Sequence, residues 1–499
     1  MRTRDILRLL HLGSSVAEHD DALEQYFIET ETFAALVADR ADTIAGDKGT
    51  GKTAVYRILQ KRYATMAALT RVEVIPGFNP AGSPVFQRLA EGQVLEEGQY
   101  ISIWKAYVLS LVGNWALKVN EGALSENMIE LEALLKRGGL HSASDEPGPV
   151  FSQIANLVRR LTRPSSMEVA ATISPEGWPV VAPRVEFGDE TSAPAIIEHD
   201  SALRLLDTVL DETGFATWVV LDRLDEAFQG FPTAEVPALR ALLRTYLDLA
   251  EFTNLHLKLF IRKDLFRRII EDRFVNLTHV NARKMEITWD EDDLFDLLCR
   301  RVRENADFLQ AVGAESVVTN HELFALLFPG QVDPGSRRPT TWNWMLSRIR
   351  DGNDIAPPRN LIDLVTKALE AQLRREGREE TEWEPGTPLV EADAIKRGFA
   401  ALSAERVEDT LLAEAGEYAP LIERFRDGRA EHNEESLAVV LGVSADSVRP
   451  SVKPLAELGF LQQIGDTWKI PMLYRGGLEI TQGKAFDTGA PSEEEDELD

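Results

Sequence analysis

One cysteine, Cys299, stands in 499 residues, so an intramolecular disulfide and a cysteine-rich zinc site are both excluded. We read Cys299 as a core residue of an amphipathic helix. A chain so poor in thiols fits a reducing cytoplasm, the location we expect. No run of about 18 apolar residues offers a membrane span. The apolar stretch after the basic Met1-Arg2-Thr3-Arg4 is too short for a secretory signal. Positive charge is scarce as well: 54 Lys plus Arg face 82 Asp plus Glu, a net charge of −28. An acidic surface repels a phosphate backbone, which disfavours nucleic acid and anionic membrane as partners of the whole chain. Internal repeats and coiled-coil heptads are absent too. What remains is a chain long enough for two to four domains with a large core.

Against this background, "GDKGTGKT" at residues 46–53 fits G-x-x-x-x-G-K-[ST] at every fixed position: Gly46, Gly51, Lys52 and Thr53. Glycines let such a loop turn tightly, so that the backbone N–H groups of Asp47, Lys48, Gly49 and Thr50 point inward as an anion nest. A helix expected from Lys52 to about Tyr63, with Ala54 in its first turn, adds its positive N-terminal end. Lys52 would reach the β- and γ-phosphates, and the Thr53 hydroxyl would ligate Mg²⁺. The segment before the loop, Ala41 to Ala45, is a short and only partly apolar strand candidate.

Two later segments read as parallel strands buried on both faces. "ATWVVLDRLDEAF" (216–228) carries a β-branched, aromatic and apolar run from Thr217 to Leu221, with Asp222 at its carboxyl end, where open α/β sheets bind ligands. Asp222 there would share Mg²⁺ with Thr53. Asp225 or Glu226 would orient or deprotonate an attacking water. "LHLKLFIR" (255–262) ends in Arg262, which either senses a γ-phosphate or pairs with Asp264. On the helix that follows, Arg267, Arg268 and Arg273 either pair locally or reach into a neighbouring subunit.

Other segments set the organisation. "DALEQYFIETETFAALVADR" reads as an arm of one or two helices packing on the nucleotide domain. "RVEVIP" (71–76) is a strand candidate, 101–119 a buried helix, 151–163 an amphipathic helix, and 167–187 a hairpin turning at Pro175-Glu176-Gly177. From residue 287 onward the pattern is helical. Pro357 and Pro358 mark a helix start and put Arg359 in its first turn, where a positive charge is unfavourable unless it serves a purpose such as meeting phosphates. Residues 434–470 read as a winged helix. Its second helix balances Arg449 and Lys453 against Asp446 and Glu457, so a packing or partner-binding module is favoured over a DNA reader. The last residues, 487–499, hold seven carboxylates and no Lys or Arg, the composition of a disordered tail.

With these residues in place, the chain resembles the AAA+/STAND group of P-loop ATPases, especially a bacterial family of about this length. The resemblance rests on "AEHDDALEQYFIET", "GDKGTGKTA", "WVVLDRLDEAF", "KLFIRKDLF", "PPRNLIDL" and "IPMLYRGGL". It implies ATP as ligand, a helical lid followed by a winged helix, and conformational switching linked to assembly, with a possible bacterial role in stress or phage defence. STAND proteins usually carry glycine after the first aspartate; here Arg223 stands there, which leaves the base open between Asp225 and Glu226. No [NT]-K-x-D sequence for guanine is present, in agreement with adenine.

The expected fold is thus α/β, a P-loop NTPase parallel sheet with a helical insertion, then a helical lid and a winged-helix domain. The expected boundaries are a helical arm at 1–40, an ATPase core at 41–285 with its insertion near 77–195, a lid at 286–378, a winged helix at 389–484 and an acidic tail at 485–499. Cofactors are ATP and Mg²⁺, and the partner is a protein or a second copy. The expected function is a switch that binds and hydrolyses ATP. The alternatives are an initiator-like or repair ATPase gripping DNA, and a scaffold that holds ATP without turnover.

Overall fold

The computed structural model describes residues 1–77, 95–141, 168–173, 179–184, 199–226, 232–271, 274–316 and 319–486. The expected helix at 151–163, Arg273 and the tail from 487 lie outside them. Contacts divide the chain into a sheet unit, Glu29–Gly46 and Lys52–Ile287, and a helical unit, Met1–Ile28, Asp47–Gly51 and Thr288–Asp499.

The sheet unit is built on five parallel strands: β1 (Thr43–Gly46), β2 (Val72–Pro76), β5 (Ala216–Leu221), β6 (Leu255–Arg262) and β7 (Lys284–Glu286). Their order across the sheet is β2-β5-β6-β1-β7, and every neighbouring pair is parallel. The expected α/β P-loop fold is the fold observed. β1 looks weak as a sequence, yet all of its residues are buried. It pairs on both sides, and the polar residue preceding it is satisfied. Asp42 receives the Lys258 ammonium at 2.6 Å, the Tyr246 hydroxyl at 2.9 Å and the Arg283 guanidinium. Its neighbours thus supply what its own short sequence lacks.

Helix Glu97–Val119 is buried along most of its length and lies in one core with helices His199–Thr213 and Pro232–Leu249. A near-continuous apolar sequence needs cover all round; here the Trp104 indole also donates to the Ala238 carbonyl at 2.9 Å. Of the hairpin expected at 167–187, β3 (Glu168–Ile173) pairs antiparallel with β4 (Pro179–Arg184), and its turn at Pro175-Glu176-Gly177 lies outside the described residues.

In the helical unit, helices Glu291–Arg303, Thr341–Ile349, Pro358–Glu376 and Ala392–Glu405 enclose a second core. Asp290 opens the first with a capping box, and Pro358 opens the third at its N-terminal turn. Helix Glu434–Leu441 ends on Gly442 in the left-handed region, φ 61°, and is followed by helix Val448–Glu457. Strands β9 (Gln462–Ile464) and β10 (Thr467–Lys469) come next and join β8 (Arg429–His432) and β11 (Thr481–Lys484) in the order β11-β8-β10-β9.

One expectation fails. The N-terminal arm is divided between the two units. Ile6, Leu7, Leu10 and Leu12 belong to the core of the helical unit, and Asp20 forms a buried ion pair with Arg301 at 3.0 Å. Only helix Glu31–Val37 stays with the sheet unit. Helical spacing alone says that an arm has an apolar face, without saying which core receives it.

Candidate functional site

The site begins where β1 stops. Gly46 closes the strand, and helix Lys52–Arg62 starts six residues later. Between them Gly49 and Gly51 take φ of 78° and 100°, the left-handed backbone that glycine adopts without a β-carbon penalty. The Lys52 ammonium turns back to donate to the Gly46 carbonyl at 2.8 Å. Thr53 and Ala54 follow in the first turn of the helix, whose free N–H groups favour an anion.

Asp222 stands at the carboxyl end of β5 and is only 7% exposed. The Thr53 hydroxyl, the Arg223 backbone N–H and the Lys52 and Arg223 charges all favour its ionised form. Burial outweighs all four and pushes its pKa up to about 6. One carboxylate oxygen, Oδ2, is buried with no hydrogen-bond partner. A buried carboxylate oxygen without a partner is costly. Beside a hydroxyl it suits a hard cation that takes oxygen ligands. Among the described residues no group of three His, Cys, Asp or Glu could hold a metal. With its orphaned oxygen beside the Thr53 hydroxyl, Asp222 fits Mg²⁺, which retains waters and takes phosphate oxygens rather than filling an all-protein cage.

Arg223, the residue where the resemblance leads one to expect glycine, has φ 57°. The backbone there is left-handed, which accounts physically for a glycine preference and leaves this arginine carrying some strain. Beyond it the chain turns through Asp225 and Glu226. Glu226 pairs with Arg223 at 3.6 Å. Asp225 pairs with Arg262 at 3.5 Å.

Arg262 ends β6, the strand between β5 and β1, and its cross-strand partner is Gly46. Its guanidinium grips Asp264 with two bonds, 3.0 Å from Nε and 3.1 Å from Nη2. The local pairing that the sequence left open is therefore formed, and Asp225 is included in it. Close by, Arg268 bonds Glu235 at 2.8 Å.

Within the helical unit the loop residues Asp47 to Thr50 keep their own partners. Lys48 forms an ion pair with Glu414, the Thr50 hydroxyl donates to the Asp47 carbonyl at 2.8 Å, and the Trp289 indole donates to the Thr50 carbonyl at 2.8 Å. Arg359 lies in the first turn of helix Pro358–Glu376, and a β-carbon placed on Gly49 would come within 3.0 Å of the Arg359 Cβ. Burial, reinforced by the nearby Arg406, lowers the pKa of Arg359, and its Nε is buried without a hydrogen-bond partner. Glu414 and Trp289 escaped the sequence reading; more than 200 residues separate each from the loop, and neither sits in a motif.

Helix Val448–Glu457 presents Arg449 paired with Glu434 at 2.7 Å and Lys453 near Glu457 at 3.7 Å. Its cations are locally matched. No helix among the described residues is long and apolar enough to cross a membrane.

No family model and no curated protein matches the chain. Among solved structures it is similar to the Aeropyrum pernix ORC1 protein in complex with DNA, with 13% identity over 93% of this chain and 96% of that one, and a TM-score of 0.36. It is also similar to the Aeropyrum pernix ORC2 protein in ADPNP and ADP complexes, with 12% identity over 91% and 95% and a TM-score of 0.31. At TM-scores of this size, neither likeness bears on what the chain does.

Proposed function

We propose that the chain is an AAA+-type P-loop ATPase that binds ATP with Mg²⁺, hydrolyses it, and uses the state of the nucleotide to control its association with a protein partner or a second copy. The observation that carries this reading is the buried Asp222 carboxylate, with one oxygen unpartnered, acted on by Thr53 and Lys52 at the start of the helix that follows the glycine loop. A glycine turn with an incidental lysine has no reason to keep such a carboxylate buried beside it with one oxygen unpartnered.

In this reading the loop N–H groups and Lys52 bind the phosphates, and Thr53 and Asp222 hold the ion. When bound, Mg²⁺ would offset the negative charge of the phosphates. A carboxylate on the turn after β5 orients the water, whose oxygen bonds to the γ-phosphorus as the bond from that phosphorus to the bridging oxygen breaks. ADP leaves with the electron pair, and a water proton passes to solvent. Occupancy of the loop would be felt through Lys48, Thr50 and Gly49 by Glu414, Trp289 and Arg359. A switch needs that kind of differential contact, because a ligand shifts an equilibrium only by its difference in affinity for two states. The paired cations of helix Val448–Glu457 favour a protein partner over DNA.

The test compares Mg²⁺-dependent ATP binding and phosphate release by the wild type, Lys52→Ala and Thr53→Ala. We expect binding in the wild type and its loss in Lys52→Ala. Equal, negligible binding in both proteins would end the reading.

A further inference from the structure

The turn after β5 offers two carboxylates for one task, and one of them is paired with a residue of another strand. Glu226 is paired with Arg223, three residues earlier on the same turn, and its side chain is 48% exposed against 37% for Asp225. Asp225 is tied to Arg262, which belongs to another strand. Arg262 is itself fixed at three points. Its backbone is the last residue of β6 in register with Gly46, and its Nε and Nη2 hold the two oxygens of Asp264. Two parallel N–H···O bonds fix the plane of a guanidinium as well as its position, and they leave Nη1 directed at Asp225.

Asp264 is built for that service. It lies in the first turn of helix Lys263–Ile270 and accepts from the Leu265 N–H. Burial raises its pKa, but the charge and hydrogen bonds of Arg262 outweigh this and keep it below the ordinary aspartate value. Hydrolysis requires a carboxylate held in place against the attacking water, since small displacements cost large factors in rate.

We infer that Asp264 is a positioning residue for hydrolysis: it orients Arg262, Arg262 holds Asp225, and Asp225 rather than Glu226 receives the proton side of the attacking water. The inference rests on the ATPase reading above. The water oxygen attacks the γ-phosphorus, the bond to the bridging oxygen breaks toward ADP, and the proton leaves by way of Asp225.

The experiment measures ATP affinity, with Mg²⁺ and a non-hydrolysable analogue, and kcat for the wild type, Asp264→Asn, Asp264→Glu, Asp225→Asn and Glu226→Gln. Asp264→Asn should lower kcat on the order of 10- to 100-fold at unchanged analogue affinity, which also reports that the variant is folded. Asp264→Glu should restore part of that loss. Asp225→Asn should lose about 100-fold or more, and more than Glu226→Gln. Full turnover in Asp264→Asn, or a larger loss in Glu226→Gln than in Asp225→Asn, would overturn the inference. So would a wild type that binds the analogue without hydrolysing ATP, an outcome that leaves nucleotide binding standing. A wild type that binds no nucleotide would remove the ATPase reading itself.

Discussion

Replacing Asp222 with asparagine separates the cost of a buried charge from its use. Burial raises the pKa of this carboxylate from 3.8 to about 6. At about 1.36 kcal/mol per unit, the ionised form costs the folded state about 3 kcal/mol relative to the unfolded chain. The sign follows from the two pKa values. Below about pH 3 the group is protonated in both states and contributes nothing. As pH rises toward 6 the unfolded chain ionises freely while the folded one resists, so stability falls, and above about 6 the penalty is complete. Asparagine keeps an acceptor for the Thr53 hydroxyl and cannot ionise. Without ligand, Asp222→Asn should therefore be more stable than the wild type at pH 8, by up to about 3 kcal/mol, with about half that gain at pH 5. In exchange, stabilisation by Mg²⁺ with ATP should be lost, because the ion requires the carboxylate. Urea unfolding at the two pH values, with and without ligand, measures both effects. A gain that does not change with pH, or a variant less stable than the wild type at pH 8, would refute the reasoning.

Other expectations concern the frame around the site. The Lys258 ammonium is fully buried between Asp42 at 2.6 Å and Asp39 at 2.5 Å, and it lies 4.0 Å from the Trp218 ring centroid. Asp42→Asn should cost about 3–5 kcal/mol in urea unfolding by removing its principal counter-charge, and the double variant with Lys258→Met should recover much of the loss. Arg223→Gly should relieve the left-handed backbone at φ 57° and raise stability by about 1 kcal/mol or less; a loss would show that the Glu226 pair outweighs the strain. In the helical unit, a β-carbon on Gly398 would lie 2.5 Å from the Ala368 backbone nitrogen. Gly398→Ala should thus push apart helices Pro358–Glu376 and Ala392–Glu405 and cost about 1–3 kcal/mol, read as a lower thermal midpoint.

Much of this was legible in the chain because local chemistry left little choice. The run Thr217 to Leu221 could only be a strand covered on both faces, and its boundary at Asp222 marked the sheet edge. "LHLKLFIR" has the bounds of the observed β6. Pro357-Pro358 fixed a helix start to the residue. Each of these rests on backbone geometry or on burial within a few residues. β1 was harder to read because its stability is lent by neighbours, namely two flanking strands and the Lys258, Arg283 and Tyr246 side chains around Asp42. The N-terminal arm was misassigned for the same kind of reason.

The sequence by itself determined that a phosphate-type loop precedes a helix and that a buried strand ends in an aspartate, since glycine placement, apolar runs and caps act over a few residues. Only the tertiary structure decided that Thr53 meets Asp222, that Arg262 joins Asp225 to Asp264, and that Lys48 faces Glu414. Those pairs lie between 2 and 366 residues apart in the chain, and strand order and helix docking bring them together through burial, which carries no local sequence period.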